Sequence, residues 1–482
     1  MSISQLPPEL LRAILEHTRG EDHLRTCLVS KIWYQETVPL LYEGLSFMAA
    51  ECATRVWYDT IFSMARGDWA AGTLDMEEIQ KKHDEIDKQQ RDVMKVFRRN
   101  PSYKNYIEKL GIQLFITDPA EEDDTFITEV VKVLRDARNL KHLSLSNYHR
   151  YDDPDEWHIQ WILRHVPSSV TVLDLRLAFL TAETILKLLA RLPNLQKLTL
   201  AADFTLGAWT IRTTTVSPKL HYLKELRLIS PFQGKTFLEK ILSDSSSLEI
   251  IYACPISLQA LPLNSISSVR QLVVQGDLSR SAFKAYPPSE FVSDLIETLE
   301  RCPKIYNFNI VATSESYEDI KEEEEVVEEE EEELDSLNLE ISKLLVESDF
   351  LRYLPSSVTA LGIVDTAIVP EYLADYLKSC PSTSQLQIVR FSPLRKKWFG
   401  ADQDVREDRE DTVEDECFKR DIDLEWFKNG QSMVRPCTKK AAEFRKLPMF
   451  AEFERMLASF ELKLKNQEVE EAEEKSEVVA EE

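Results

Sequence analysis

One six-residue pattern constrains the fold of this chain more than any other feature. Its first, fourth and sixth positions are apolar. It occurs in eight clear and two weaker copies: IEKLGI (107–112), LKHLSL (140–145), VTVLDL (170–175), LQKLTL (195–200), LKELRL (223–228), VRQLVV (269–274), IYNFNI (305–310) and VTALGI (358–363), then LEIIYA (248–253) and TSQLQI (383–388). Amphipathic stretches with helical spacing, such as TAETILKLLARL, lie between the copies. Each unit therefore predicts a short strand followed by a helix.

The spacing of the copies indicates a repeat architecture. All but one of the intervals lie between 21 and 36 residues, and the exception is 53 residues. This is the period of leucine-rich repeats. One strand and one helix cannot bury their apolar faces, whereas ten stacked units build a continuous core. The sequence therefore predicts an α/β leucine-rich-repeat solenoid over 105–392, with a parallel sheet on its concave face.

A doubly wound α/β enzyme is the competing fold, because it also alternates strands and helices. The repeat pattern argues against it, and so does the absence of any Gly-rich phosphate loop in a chain with 11 Gly. No metalloprotease, serine-hydrolase or nucleotide-binding motif occurs. We therefore expect no cofactor and no metal site, and we expect that the protein is not itself an enzyme.

The charge of the chain is concentrated in two short runs. The net charge is −26, but residues 322–333 alone hold ten Glu and residues 468–482 carry a net −7. The remainder, at −9, is mildly acidic, which argues against a nucleic-acid partner. We expect no membrane association, because no apolar run reaches about 18 residues. Seven Cys without a CxxC pair favour a reduced location, in the cytoplasm or nucleus.

The opening segment LPPELLRAILEH (6–17) predicts a compact apolar helix. Pro and Glu suit its first turn, and apolar residues then recur on one face. A second helix is predicted across Asp22–Trp33, and a third ends near Leu41. Such a small bundle is marginal alone, so its apolar leading edge is expected to meet other protein. That protein is either the rest of this chain or a partner.

This N-terminal region resembles an F-box of the fungal type. The resemblance covers residues 4–47 and rests on LPPEL, on the Ile-Leu pair, on DHL, and on VSKIW followed by PLLYEGLSF. It implies docking on the Skp-type adaptor of a cullin–RING ubiquitin ligase. The residues that it assigns to the adaptor contact are Leu6, Pro7, Glu9, Leu10, Ile14, Leu15, Leu24, Val29 and Trp33.

The sequence divides into five predicted regions. They are the F-box at 1–47, a helical connector at 48–104, the solenoid at 105–392 with an acidic disordered insertion at about 314–336, a C-terminal cap at 393–465, and a disordered acidic tail at 466–482. This organisation suggests a substrate-recognition subunit of a ubiquitin ligase that binds an unknown target protein. Two alternatives are a repeat scaffold without ubiquitin transfer and an unrecognised hydrolase.

The polar positions of the repeats predict where a target binds. In each strand the residues between the apolar ones point out of the core. A face of mixed polarity with Arg and Tyr suits a protein partner better than a nucleic acid or a small molecule. The predicted target-binding residues, here called the outward strip, are His142, Asp174, Arg176, Lys197, Glu225, Arg227, Tyr252, Gln271 and Asn307.

Overall fold

The computed structural model describes residues 7–18, 20–48, 76–116, 124–149, 157–177, 181–201, 217–229, 234–262, 265–276, 288–312, 344–364, 370–380, 385–391, 403–428 and 431–435. They divide into two compact units at the boundary between Ser357 and Val358. Several predictions lie outside the described residues. These are the contact of Leu6, the acidic insertion, the first part of the connector and the acidic tail.

Three helices open the first unit, and their bounds are α1 Pro8–Glu16, α2 Gly20–Thr26 and α3 Lys31–Glu43. The predicted single helix across Asp22–Trp33 is wrong. Ser30 interrupts it, because this residue is extended and its hydroxyl accepts a hydrogen bond from the backbone N–H of Trp33 at 3.4 Å. A side-chain acceptor at this position starts a new helix. Trp33 therefore belongs to α3.

The remaining elements of the first unit alternate strands with helices. Their bounds are β1 Gly44–Met48, α4 Met76–Arg99, a 3-10 helix Pro101–Tyr106, β2 Lys109–Ile116, α5 Asp124–Asp136, β3 His142–His149, α6 Trp157–Arg164, β4 Val172–Leu177, α7 Ala182–Leu189, β5 Lys197–Ala201, β6 Glu225–Leu228, α8 Lys235–Leu242, β7 Ile250–Ala253, a 3-10 helix Pro255–Ala260, β8 Gln271–Gly276, α9 Pro288–Arg301, β9 Asn307–Ala312 and a 3-10 helix Phe350–Tyr353.

The strands β1 to β9 form one parallel sheet in sequence order. The fourth positions of successive patterns are register partners, as in the pairing of Leu143 with Leu173 and of Leu173 with Leu198. Their side chains are fully buried. The helices bury their apolar stripes as well, for example Leu186 and Leu189 of α7. The predicted α/β repeat fold with a parallel sheet is confirmed.

The sheet begins earlier than the sequence predicts. β1 directly follows α3 and pairs with β2, with Leu45 opposite Leu110 and Phe47 opposite Ile112. The predicted boundary at 105 therefore places the start of the sheet too late. The first strand precedes the connector, and the connector returns the chain to the neighbouring strand. Phe47 is 1% exposed, so this strand contributes to the core like the later ones.

A ladder of shared backbone carbonyls runs beside the strands of the first unit. For β2 to β8, the residue just before the strand accepts two N–H groups from the next repeat. Thus the carbonyl of Lys141 accepts the N–H groups of Thr171 at 2.8 Å and Val172 at 2.9 Å. The ladder begins in the helical bundle, because the carbonyl of Glu43 accepts the N–H of Glu108 at 2.9 Å. The bundle and the sheet are thus joined by backbone hydrogen bonds.

Two serines add a second connection between repeats. Ser169 and Ser268 each directly precede the first apolar residue of a pattern. Their hydroxyls donate to the carbonyl of the first apolar residue of the preceding pattern, Leu140 at 2.7 Å and Leu248 at 2.8 Å. Each bond satisfies a carbonyl and fixes the stacking of one repeat on the next.

The second unit continues the strand–helix alternation. Its elements are β10 Ala360–Val364, α10 Pro370–Ser379, β11 Ile388–Phe391, α11 Gln403–Arg420, β12 Asp423–Lys428 and β13 Gln431–Arg435. β10, β11 and β12 pair in parallel, and β13 closes antiparallel on β12. The region 393–465 was predicted to carry no repeat. Its described part instead supplies one more helix and strand of the repeat type.

Candidate functional site

The first helix separates two apolar faces. Leu11 and Leu15 are 1% and 0% exposed, whereas Leu10 and Ile14 are 54% and 43% exposed. The exposed pair is four residues apart, which places both side chains on one side of the helix. The bundle therefore leaves one apolar side of α1 in water.

The second helix and the turn after it expose more apolar surface. Leu24 lies on α2, Leu28 and Val29 lie in the turn, and Ile32 follows at the start of α3. Their exposed fractions are 64%, 87%, 61% and 48%. Seven of the thirteen large hydrophobic side chains that are exposed in the described part of the chain fall within residues 10–34. Exposed apolar residues concentrated in one region mark an interaction site. We call Leu10, Ile14, Leu24, Leu28, Val29 and Ile32 the apolar edge.

The structure changes the list of predicted adaptor residues. Leu15 is fully buried and Trp33 is 8% exposed; together with Leu11 they form the core of the bundle, against which Leu40 packs. Both were predicted to contact an adaptor, but burial gives them a packing role instead. Pro7 and Glu9 are exposed.

Sequence reasoning did not assign Leu28 and Ile32 to the contact. The signal was present, because both continue the stripe that begins at Leu24. Of this stripe, the F-box resemblance assigned only Leu24 to the contact. The structure ends α2 at Thr26, so Leu28 lies in the following turn and Ile32 in the first turn of α3.

Polar contacts hold the helices that carry the apolar edge. His23 Nε2 lies 2.8 Å from the carbonyl oxygen of Leu15, which joins α2 to the end of α1. The hydroxyls of Thr26 and Thr37 are 3.3 Å apart and join α2 to α3. The apolar edge is therefore displayed on an ordered bundle.

Aromatic packing attaches the bundle to the repeats. Tyr42 of α3 lies with its ring centre 5.5 Å from that of Phe97 and 5.4 Å from that of Tyr103. Lys109 Nζ on β2 also forms an ion pair with Glu43 Oε1 at 3.0 Å. Together with the β1–β2 pairing, these contacts tie the apolar edge to the start of the sheet.

The outward strip lies on one face of the sheet, as its alternation with the buried apolar residues requires. His142 is half-buried beside Asp174, and burial is the main cause of a lowered pKa at this imidazole. Nearby Lys109 and Lys197 lower the pKa further, whereas Asp174 opposes them. Gln271 and Asn307 are register partners.

Two ion-pair groups occupy the middle of the outward strip. In the first, Arg176 Nε lies 3.3 Å from Asp174 Oδ2, and the Ser144 hydroxyl donates to the same oxygen at 3.5 Å. In the second, Glu225 accepts from Lys197 Nζ at 2.8 Å and from Arg227 Nε at 2.5 Å.

Glu225 is a buried counter-ion rather than a surface contact. It is 4% exposed, so its prediction as a target-binding residue is corrected by its burial. Burial alone would raise the pKa of this carboxyl. The hydrogen bonds and positive charges of Lys197 and Arg227 outweigh burial, and the net pKa is lowered. Glu225 therefore stays ionised and orients the two cations.

The described residues offer neither a metal-binding cluster nor a helix that could cross a bilayer. They contain no group of three or more His, Cys, Asp or Glu side chains arranged to hold a metal ion. Among the described helices, none combines the length and the apolar character that a bilayer crossing requires.

Comparisons with known proteins identify one domain of this chain. Residues 3–36 match the family model of the F-box domain. No curated protein matches the sequence. One similar solved structure is the leucine-rich repeat-containing protein LegL7 from Legionella pneumophila, with 13% identity, a TM-score of 0.35, and coverage of 68% of this chain and 85% of that chain. The assignment of the repeats rests on the register and burial described above. The chain therefore carries an F-box domain followed by parallel strand–helix repeats.

Proposed function

We propose that this chain is the substrate-recognition subunit of a ubiquitin ligase of the Skp–cullin–F-box type. The F-box domain docks on a Skp-type adaptor, and through it on a cullin–RING complex, while the repeats bind a target protein. The chain itself is non-catalytic in this proposal. The observation that carries it is the apolar edge, displayed on a helical bundle that matches the F-box domain.

The energetics of the apolar edge favour a protein partner. Burying one large aliphatic side chain contributes roughly 1.5–3 kcal/mol. Six such side chains are exposed here at fractions from 43% to 87%. Part of the gain is offset by the loss of rigid-body freedom on association. The surplus still suits a stable docking contact better than permanent exposure to water.

The connection between the bundle and the sheet suits a receptor that works by geometry. Ubiquitin transfer in such a complex requires a target lysine near a conjugating enzyme that another subunit carries. β1 makes the F-box continuous with the sheet, without an intervening linker. A target held on the outward strip would therefore keep a fixed distance from the adaptor.

A scaffold that binds the adaptor without ubiquitin transfer remains the alternative function. Its F-box would use the same apolar edge, so adaptor binding does not separate the two. A reconstituted reaction with adaptor, cullin, RING subunit and conjugating enzyme does. Ubiquitin chains on a captured target support the receptor function, whereas a captured target that stays unmodified supports the scaffold.

The adaptor contact is tested by co-purification. We expect Leu10→Ser, Ile14→Ser and Leu28→Ser together to abolish binding of a purified Skp-type adaptor. The matched control is Ile229→Ser with Tyr222→Ser, two exposed hydrophobic side chains outside the F-box, at 46% and 58% exposure. Adaptor binding that survives the triple change, or that the control also removes, contradicts the assignment.

A further inference from the structure

In the outward strip, the acidic side chains are more buried than the basic ones. The carboxylates are largely buried, with side-chain exposures of 18% for Asp174 and 6% for Glu225. The cations above them are exposed, at 52% for Arg176, 53% for Lys197 and 43% for Arg227. We call these three cations the cation cluster. An approaching partner meets positive charge first, although the chain as a whole carries −26.

The hydrogen-bonding groups show the same arrangement. Both oxygens of Glu225 are engaged, one by Lys197 and one by Arg227. Arg176 approaches both oxygens of Asp174 through Nε alone. Within the described residues, Arg227 likewise donates through Nε to Glu225. A guanidinium has five N–H donors. In the described part of the chain, the Nη groups of Arg176 and Arg227 make no hydrogen bond to Asp174 or Glu225. This surface therefore presents hydrogen-bond donors, and a ligand with hydrogen-bond acceptors would complement it.

Tyr252 packs against Arg227, the least exposed member of the cation cluster. The guanidinium carbon of Arg227 lies 4.1 Å from the centre of the Tyr252 ring. This cation–π contact and the bond to Glu225 fix the orientation of the side chain in advance. Less side-chain entropy is then lost when a ligand binds.

The spacing of the cation cluster distinguishes between anionic ligands. Arg176, Lys197 and Arg227 lie on β4, β5 and β6, which are consecutive neighbours in the sheet. Neighbouring strands are about 4.8 Å apart, and the residues are also offset along the strands, because Lys197 pairs with Val172 whereas Arg176 pairs with Ala201. The three positions therefore spread over more than roughly 10 Å. A single phosphate needs several donors that converge on one point. Spread donors match instead a peptide that crosses the strands with several carboxylates.

We propose that the cation cluster recognises an extended segment of the target protein that is rich in Asp and Glu. This inference rests on the proposed function for its biological meaning, because it names the class of segment that the receptor captures. Arg176 and Arg227 pair with carboxylates through their Nη donors, and Lys197 supplies a third positive charge. The buried acids keep the cations in place without competing for the ligand.

The test uses the full chain and defined peptides. The probe is a fluorescein-labelled peptide of twelve residues that alternates Glu with Ser, compared with a matched peptide that alternates Gln with Ser. We expect saturable binding of the Glu peptide in fluorescence anisotropy, weakening as the salt concentration rises. Equal affinity for the Gln peptide would overturn the proposal.

The variant that tests the cation cluster also removes the buried charge beneath it. Arg176→Gln, Lys197→Gln and Arg227→Gln are combined with Asp174→Asn and Glu225→Gln, so that neither acid is left buried without its cation. We expect about tenfold weaker binding of the Glu peptide, the sum of several exposed ion pairs. The matched control changes three exposed lysines on the helices, Lys95, Lys132 and Lys187, to Gln. It keeps the affinity of the native chain.

A second variant guards against a folding defect. Arg176→Lys with Arg227→Lys preserves the charges and is expected to bind the Glu peptide more tightly than the Gln variant does. Undiminished binding by the Gln variant overturns the proposal. So does a clear preference for a peptide with one phosphoserine and no Glu, because it would place a converging phosphate site here.

Failure of this inference and failure of the proposed function give different results. Adaptor co-purification depends on the apolar edge, whereas peptide binding depends on the outward strip. Adaptor binding without Glu-peptide binding contradicts the ligand class alone. Glu-peptide binding without adaptor binding contradicts the receptor function and leaves the ligand class standing.

Discussion

The hydroxyl groups of Tyr34 and Tyr103 are 2.8 Å apart, although the two residues are separated by 69 positions in the chain. Tyr34 belongs to α3 of the F-box, and Tyr103 lies in the 3-10 helix that precedes β2. This contact crosses from the F-box domain to the segment that leads into the repeats. It adds to the β1–β2 pairing and to the packing of Tyr42, so the junction is a packed core rather than a hinge.

The first prediction concerns that junction. Phe97 is 1% exposed and packs beside Tyr42. We expect Phe97→Ala to lower the free energy of unfolding by about 3–5 kcal/mol, because it leaves a cavity. Tyr103→Phe removes only one hydroxyl from a partly exposed pair, and the expected loss is about 1 kcal/mol or less. Urea denaturation of both variants checks the difference. Equal losses would mean that the junction is not packed as described.

The second prediction separates the two faces of α1. Leu15 is fully buried, so Leu15→Ala is expected to destabilise the protein by about 2–5 kcal/mol. Leu10 is 54% exposed, and Leu10→Ala should change stability by no more than about 0.5 kcal/mol. Urea denaturation of both variants measures the two losses. A large loss for Leu10→Ala would show that the apolar edge already packs within the chain.

The sequence predicts the repeats well because each clear copy keeps the same spacing of apolar positions, and these positions are buried in the sheet. Two copies of the pattern were not predicted, and each omission has a physical reason. YEGLSF (42–47) fits the pattern, with Leu45 and Phe47 at the fourth and sixth positions, but it stands at the end of the F-box resemblance. Its assignment to the bundle hid the first strand of the sheet.

The last strands were missed or misplaced because their patterns are degenerate. Leu361 pairs with Val389, and Val389 with Leu424, so the register places the copy at 386–391 rather than at the predicted 383–388. In the next repeat the first position is Asp421, which adopts a left-handed backbone with φ of 62°. An acidic residue at an apolar position removes the signal that pattern recognition needs.

For the candidate sites, the sequence predicts which face of the sheet a residue lies on, but not how deeply its side chain is buried. Alternation in the strands correctly places the outward strip on one face. Depth is a different property, since Lys197 and Glu225 both occupy outward positions, yet one side chain is 53% exposed and the other 6%. The depth of such a side chain depends on the side chains of the neighbouring strands. A single sequence does not show which side chains become neighbours in the fold.

The third prediction concerns the serines between repeats. Ser169→Ala and Ser268→Ala each remove a hydrogen bond to a backbone carbonyl of the preceding repeat. We expect each change to cost about 1 kcal/mol of stability. The adjacent serines 168 and 267 are exposed and supply matched controls, whose change to Ala should stay within about 0.5 kcal/mol. Urea denaturation that shows no difference within either pair would contradict the role of these hydroxyls.

The fourth prediction concerns the pH dependence that Glu225 confers. Its pKa in the folded protein is lowered from the ordinary value of 4.5, because the hydrogen bonds from Lys197 and Arg227 outweigh burial. A carboxyl with a depressed folded pKa stabilises the fold above its unfolded pKa, and this contribution is lost as the pH falls through the folded pKa. The stabilisation is therefore fully present at neutral pH and declines below pH 4.5.

Glu225→Gln isolates this contribution. The variant is expected to be less stable than the native chain by about 1–3 kcal/mol at pH 7. The reason is that the buried carboxylate, which accepts hydrogen bonds from both Lys197 and Arg227, loses its negative charge. The difference should shrink as the pH is lowered below 4.5, where the native carboxyl also becomes neutral. Urea denaturation at a series of pH values measures it, with Glu239→Gln on the exposed side of α8 as the control, expected within about 0.5 kcal/mol at pH 7. A difference that stays constant or grows toward acid pH would show that Lys197 and Arg227 do not hold this carboxyl in its ionised form.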